Sequence, residues 1–240
     1  MILGVIPARG GSKGLPGKHI KLLEGKPVIG YTIEAALAAK KLDKVVVSTE
    51  DSFIARVAED FRAQVIKRPA DLATDSANID GALRHAVETV EKSGSKVDIV
   101  VWLQANLPIR KDGDIDAVIK KIIDSRADSV ISVSAVGWPL EKAYSINKGM
   151  IRPYWGKWAK LPRRQDYRDA YISNGAIYAI KRGCLMRKPG KNDGYDYFFG
   201  KKRLAYLMEG FFYGIEIDDA QDFMLCEMFL KQPDKACKTL

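Results

Sequence analysis

Short apolar runs alternate with longer stretches of helical period along most of this chain. Ile2 to Pro7 reads as a first strand, Lys44 to Ser48 as a second, and Gln64 to Ile66 and Val97 to Leu103 as further strands. Between them Pro27 to Lys40 reads as a helix with Pro in its first turn and an Ala-rich body. Ser52 to Phe61, Ala77 to Lys92 and Asp114 to Ser125 carry the same helical period. Alternation of this kind predicts an α/β fold with a doubly wound, mostly parallel sheet. Val97 to Leu103 is apolar at nearly every position, as a central strand covered on both faces must be. Gln104 therefore falls at a carboxyl end, where open α/β sheets bind ligands.

After another apolar strand, Asp128 to Ala135, the pattern breaks. Gly137 to Arg168 holds three of the four Trp, three Pro and many Lys and Arg, with no clear period. Such a segment is either a surface excursion, an intermolecular arm, or a hairpin packed on its own domain; exposed aromatics are what an interface needs. Regular order resumes at Ser173 to Ile180. A final strand, Tyr213 to Ile217, is expected to lead into an amphipathic helix over Asp219 to Leu230, opened by acids that suit its positive end. With no internal repeat or linker, residues 1–240 read as one domain carrying an inserted arm at 137–172.

Composition narrows the partners. The formal net charge is +9, but the 39 basic residues are interleaved with 30 acids rather than gathered in a stripe, which disfavours nucleic acid. A positive field of this size suits small anionic substrates instead. Cys184, Cys226 and Cys237 have no metal-ligand spacing, and there is no signal sequence or long apolar run, so a soluble cytoplasmic chain with no membrane partner is expected.

The chemistry concentrates in Pro7-Ala8-Arg9-Gly10-Gly11-Ser12-Lys13-Gly14-Leu15-Pro16-Gly17-Lys18, directly after the first strand. Its glycines can reach positive φ and admit an anion closely, while Arg9, Lys13 and Lys18 supply fixed positive charge. The spacing fits neither a P-loop nor a dinucleotide fingerprint. Arg9, Ser12, Lys13 and Lys18, with the backbone N–H groups of Gly10 and Gly11, are the expected phosphate ligands. Glu216 and Asp218, two apart on the final predicted strand, would project from one face as hard oxygen ligands for a divalent metal, while Ile215 and Ile217 point into the core. Arg68, after a short strand, could donate its guanidinium fork to a base carbonyl and ring nitrogen.

The loop resembles the signature of the acylneuraminate cytidylyltransferases, which couple CTP to sialic-acid-like sugars. Further echoes follow in family order: Val47-Ser48-Thr49-Glu50-Asp51, Lys67 to Asp75, Trp102-Leu103-Gln104 with Leu107-Pro108-Ile109-Arg110, Asn174 to Tyr178, and Ile215 to Asp218. The resemblance implies a Rossmann-like nucleotidyltransferase whose arm, 137–172, makes a homodimer. It implies Mg²⁺ as cofactor, with CTP and an acidic nine-carbon sugar as substrates. By the same resemblance Lys18, Arg9 and Asp218 are catalytic, with Lys18 nearest the α-phosphate. Ala8 through Lys13, Lys18, His19, Arg68, Asp75 and Ala77 hold the nucleotide, the segment Thr74 to Asn78 closing over ribose and cytosine. Gln104, Asn174 and Gly175 line the sugar pocket, and Arg164 and Gln165 in the arm serve the partner's site.

Departures from the family pattern cluster at the sugar and metal positions. Gln104-Ala105-Asn106-Leu107-Pro108 replaces the usual Gln-Pro-Thr-Ser-Pro, Glu216 replaces the first residue of Asp-x-Asp, His19 stands where Asn is common, and Ile172 where an arginine is frequent. Tyr195 to Phe199 form either an apolar wall near the sugar or part of the core. Activation of the eight-carbon sugar Kdo, use of UTP or GTP with a sugar phosphate, and a non-catalytic nucleotide-binding protein of the same fold are the alternatives.

Overall fold

A computed structural model of the chain describes residues 1–160, 163–210 and 213–231. Its first half follows the apolar pattern closely. Strand β1 (Ile2–Pro7) leads through the glycine-rich loop and a small hairpin, β2 (Leu22–Leu23) with β3 (Lys26–Pro27), into α1 (Val28–Ala38). Then come β4 (Lys44–Thr49), α2 (Ser52–Asp60), β5 (Gln64–Lys67), α3 (Ile79–Lys92) and β6 (Ile99–Trp102). Asp51 caps α2, its carboxylate accepting from the N–H groups of Phe53 at 2.8 Å and Ile54 at 3.0 Å. The second half adds α4 (Asp114–Ser125), β7 (Ser129–Ala135), the arm strands β8 (Tyr144–Asn147) and β9 (Met150–Pro153), β10 (Tyr171–Lys181), α5 (Arg182–Leu185), β11 (Arg203–Leu207) and α6 (Ala220–Lys231).

Among the described residues one seven-stranded sheet runs in the order β11-β7-β10-β6-β1-β4-β5. Every neighbouring pair is parallel except those made by β10, which runs antiparallel to both β6 and β7. The order reverses at β1, with β4 on one side and β6 on the other. The loops that leave the carboxyl ends of β1 and β6 therefore diverge and leave a crevice, which the glycine-rich loop and Gln104 line.

Period-2 alternation sends successive strand residues to two cores. Val101 and Ile6 face α1, α2 and α4 through Ile33, Ile54 and Ile119, whereas Val5, Val100 and Ile180 face α3 through Leu83, Val87 and Val90. Removing each such side chain from water contributes about 2 kcal/mol, so the central strands are held rigidly beneath the crevice. A third cluster joins Leu23, Val28, Ile109, Ile217, Cys226 and Phe229, and seats α6 against the β2–β3 hairpin.

Two elements differ from the sequence pattern. Tyr213 to Ile217 is not a strand: Tyr213 and Gly214 lie in a turn and 215–218 in irregular backbone. Ile217 reaches the sheet region through one main-chain bond, its N–H donating to the Asn106 carbonyl at 2.9 Å. The last strand is instead β11, whose side chains alternate between exposed and half-buried at the sheet edge. Lys201, Lys202 and Arg203 mask its short apolar signal. Strand β10 breaks its register with β7 between Ser173 and Tyr178, where Gly175 takes φ +74°.

Candidate active site

An open cleft of about 410 Å³ lies over the crevice between β1 and β6. Of the residues expected to bind nucleotide or metal, Arg9, Ser12, Lys13, Lys18, His19, Arg68, Asp75, Ala77, Glu216 and Asp218 line it, and Gln104 joins them. Gly10 and Gly11 sit in the adjoining loop, and Ala8 is buried beneath it.

The loop takes its shape from close approach more than from left-handed backbone. Only Gly17 of its glycines has positive φ, +66°. A Cβ on Gly14 would collide with the Asp218 carbonyl oxygen, so this glycine lets the loop lie directly on the segment that carries the candidate metal ligands. Lys18 Nζ then reaches Asp218 Oδ1 at 2.6 Å across 200 residues of sequence. Arg9 Nη1 and Lys13 Nζ both reach the Asp75 carboxylate, at 2.8 and 2.5 Å. Lys13 first and Arg9 second hold the Asp75 pKa below its ordinary value.

Glu50 ties this loop to Arg68 on the cleft wall. Its carboxylate accepts from the Gly10 N–H at 2.8 Å through one oxygen and from Arg68 Nη2 at 2.8 Å through the other. Burial pushes the Glu50 pKa up, but the Arg68 and Gly10 bonds outweigh it and leave the group below its ordinary value. Arg68 is itself buried, and its Nε has no hydrogen-bond partner. His19 is buried beside it, with Nδ1 donating to the Arg9 carbonyl at 3.1 Å. Burial, then the Lys18 charge, push its pKa down to about 4, so the ring is neutral at physiological pH.

On the far side Glu216 and Asp218 share one neighbour. Asn106 Nδ2 donates to Glu216 Oε1 and Asp218 Oδ1 at 3.2 Å each. Burial, opposed by the Asn106 bond and the Lys18 charge, leaves the Glu216 pKa raised. Both carboxylates face the cleft although the backbone between them is irregular, because buried Ile217 anchors the segment from behind. No group of three or more His, Cys, Asp or Glu that could hold a metal exists among the described residues. Two carboxylates beside a cationic loop are nevertheless a donor set that would suit Mg²⁺, which takes few protein carboxylates and completes its shell with phosphate oxygens and water.

The sugar-side expectations divide. Gln104 lines the cleft, and its carbonyl is pinned by Thr32 Oγ1 at 3.1 Å and by Arg110 Nη2 at 2.9 Å. Gly175 lies behind it: a Cβ there would come within 2.8 Å of Gln104 Nε2. Asn174 turns inward, its Oδ1 accepting from Ser132 Oγ at 2.6 Å and its Nδ2 donating to Ser134 Oγ at 2.9 Å. It shapes the β10 bulge and is not among the cleft-lining side chains. Gln165 lines a separate hollow on the arm with Trp138 and Tyr167; the Arg164 side chain and Cys237 lie outside the described residues. Of the aromatic segment, Phe198 and Phe199 are core and Tyr195 alone lines the cleft.

Sequence reasoning attached no role to Glu50, Asn106, Trp102 or Arg110. Each sits just after or at the carboxyl end of a predicted strand, the one signal that could have singled them out. Trp102 stacks on Tyr178 with centroids 4.2 Å apart, and its Nε1 is buried without a hydrogen-bond partner at the cleft wall.

Comparison with known proteins agrees with this geometry. A family model described as Cytidylyltransferase matches residues 3–230. The chain is 31% identical to an N-acylneuraminate cytidylyltransferase of Escherichia coli O18:K1:H7 over 227 residues, which is 93% of this chain and 51% of that one. It thus spans about half the length of that relative. It is also 31% identical to a CMP-N,N'-diacetyllegionaminic acid synthase of Legionella pneumophila, covering 98% of both chains. Among solved structures, a CMP:2-keto-3-deoxy-manno-octonic acid synthetase complexed with CTP superposes with a TM-score of 0.67 over 97% of this chain at 19% identity, a likeness of fold. Fold, loop and family match converge: the chain belongs to the cytidylyltransferase family.

Proposed function

We propose that this protein transfers CMP from CTP to the hydroxyl of a nine-carbon α-keto acid sugar of the sialic, legionaminic or pseudaminic type, releasing pyrophosphate. One observation carries the reading most directly. Lys18, the last cation of the phosphate cradle, lies 2.6 Å from Asp218, the firmer of the two candidate metal carboxylates. Cation and carboxylate meet where the α-phosphate of a triphosphate lying along the loop would sit.

Transfer of this kind needs no protein nucleophile, because catalysis rests on alignment and on neutralising charge that builds on the phosphate oxygens and leaving group. Arg9, Ser12 and Lys13 would hold the β- and γ-phosphates with the Gly11 N–H, the Gly10 N–H expected beside it being donated to Glu50 instead, and Lys18 would face the α-phosphate. Arg68, fixed by Glu50, would turn its guanidinium toward the cytosine, and Asp75 and Ala77 lie where the ribose would end. Glu216 and Asp218 would hold Mg²⁺; when bound, that ion supplies further charge neutralisation at the phosphates. Gln104 and Gly175 would form the sugar floor, with Tyr195 beside them.

The arm completes the proposal as the contact of a homodimer. Trp138, Trp155, Trp158 and Ile146 are 76, 62, 59 and 75% exposed on it, side chains of the kind that anchor interfaces. Gln165 and Arg164 would then serve the partner's cleft. No helix among the described residues is long and apolar enough to cross a membrane.

The test is pyrophosphate release with Mg²⁺, each of the four NTPs and a panel of α-keto acid sugars. Release only with CTP and a nine-carbon acid is expected. No release with any pair would overturn the enzymatic reading, and release with UTP alone would overturn the base assignment. Light scattering in solution should give twice the chain mass.

A further inference from the structure

Two departures from the family pattern that lie 110 residues apart in sequence meet at one hydrogen bond. Asn106 stands where the related loop carries Thr, and Glu216 where the related pair carries Asp. Asn106 is 4% exposed, and its Nδ2 faces Glu216 Oε1 at 3.2 Å, the Ile217 carbonyl at 3.1 Å and Asp218 Oδ1 at 3.2 Å. All three neighbours are acceptors, so the amide nitrogen, with its two hydrogens, must point at them. In return the Ile217 N–H donates to the Asn106 carbonyl at 2.9 Å. Residue 217 is thus gripped through both main-chain groups, and the carboxylates on either side of it are drawn to one nitrogen.

We infer that Asn106 is the positioning residue of the Glu216–Asp218 pair and that its amide is what lets the longer Glu216 serve as first carboxylate. The inference deepens the proposed function and rests on its assignment of the pair to a divalent cation. A threonine hydroxyl has one hydrogen and shorter reach; it can serve one acceptor, not two carboxylates and a carbonyl. Glu216, one methylene longer than Asp, would be free to swing without a donor to hold its outer oxygen. Partners that orient metal ligands in this way are worth about 10- to 100-fold in metal affinity.

The test uses the full chain without any sugar acceptor, so that no turnover occurs. Binding of Mn²⁺–CTP is read by water-proton relaxation, and binding of metal-free CTP by calorimetry in EDTA. Asn106→Ala should weaken Mn²⁺–CTP binding at least about tenfold while metal-free CTP binds as in wild type. Circular dichroism checks the fold; if Asn106→Ala does not fold, Asn106→Thr carries the test with the same expectation. Glu216→Asp added to Asn106→Thr should recover most of the loss. Wild-type Mn²⁺–CTP affinity in the single variants, or an equal loss for metal-free CTP, would overturn the inference. Failure of the double variant to recover would overturn the pairing with Glu216. A wild-type protein that does not prefer Mn²⁺–CTP over metal-free CTP would overturn the metal assignment itself.

Discussion

Acidification from pH 7 to pH 5 should destabilise this protein through His19, by an amount the structure specifies. The ring is buried under the loop with Lys18 and Arg68 nearby, and its pKa is lowered from 6.5 to about 4. Burial contributes most, the Lys18 charge next; the bond to the Arg9 carbonyl opposes both without cancelling them. In the unfolded chain the ring is hydrated and recovers its ordinary pKa. Between about 4 and 6.5 the unfolded state therefore binds more protons than the folded one. Stability from this group is complete above the unfolded value and is lost as pH falls through the window toward the folded value. Integrated from pH 7 to pH 5, the loss is about 2 kcal/mol.

Urea unfolding at the two pH values measures it, with His19→Asn as control. Asparagine cannot titrate but keeps a donor for the Arg9 carbonyl, and every carboxylate contributes equally to both proteins. Wild type should lose about 2 kcal/mol more than His19→Asn between pH 7 and pH 5. Equal losses in the two proteins would refute the reasoning, because a ring that titrates normally in the folded state carries no such linkage.

Lys18→Ala should slow pyrophosphate release by about 10²–10³-fold, as when a donor to developing oxyanion charge is removed; a near-normal rate would shift that role to Arg9 or Lys13. Asp218→Ala should abolish release in the same assay and leave the thermal midpoint in place, since its side chain is 63% exposed. Arg110→Ala should cost about 2–4 kcal/mol in urea unfolding, because it removes a donor from the buried carbonyls of Gln104, Leu107 and Ala176, and the Thr32 hydroxyl, with one hydrogen, can still serve only one of the first two. Asp75→Asn should tighten pyrophosphate binding, read by calorimetry, roughly two- to fivefold, by loosening an exposed ion pair that competes for Arg9 and Lys13.

The parts of this fold that can be read from the sequence are those whose periodicity is enforced by burial. Strands β1, β4 and β6 lie between two cores and helices α1 to α4 each close one of them with a single face, so a misplaced polar residue would cost desolvation and the pattern stays clean. β11 lies at an edge, where Lys201 to Arg203 are tolerated and obscure it. Tyr213 to Ile217 misleads for the opposite reason. Its apolar residues are buried, but against α6 and the β2–β3 hairpin rather than beside a strand, and burial alone produces the same alternation as pairing. The site divides along similar lines. Charged loop residues announce themselves by type, whereas Glu50 and Asn106 act through hydrogen bonds to residues distant in sequence, which no spacing rule exposes.

The charge of the cleft follows from how its ion pairs are built. Arg9, Lys13 and Lys18 are each matched to a carboxylate, and none of these pairs is deeply buried on both sides. Solvent screens such pairs, so each is worth little and can be exchanged for a phosphate oxygen without a large penalty. Glu50 and Arg68 differ: the Arg68 side chain is 4% exposed, and separating this pair would leave a buried charge uncompensated. On the proposed assignment, the molecule places exchangeable pairs where a polyphosphate would enter and a fixed pair where an uncharged base would be recognised. A triphosphate arriving at the loop would release Asp75 from Arg9 and Lys13 beside the ribose position, while Glu50 keeps Arg68 still. On that assignment, the difference in burial between the two kinds of ion pair would leave one cleft open to charge and strict about the base.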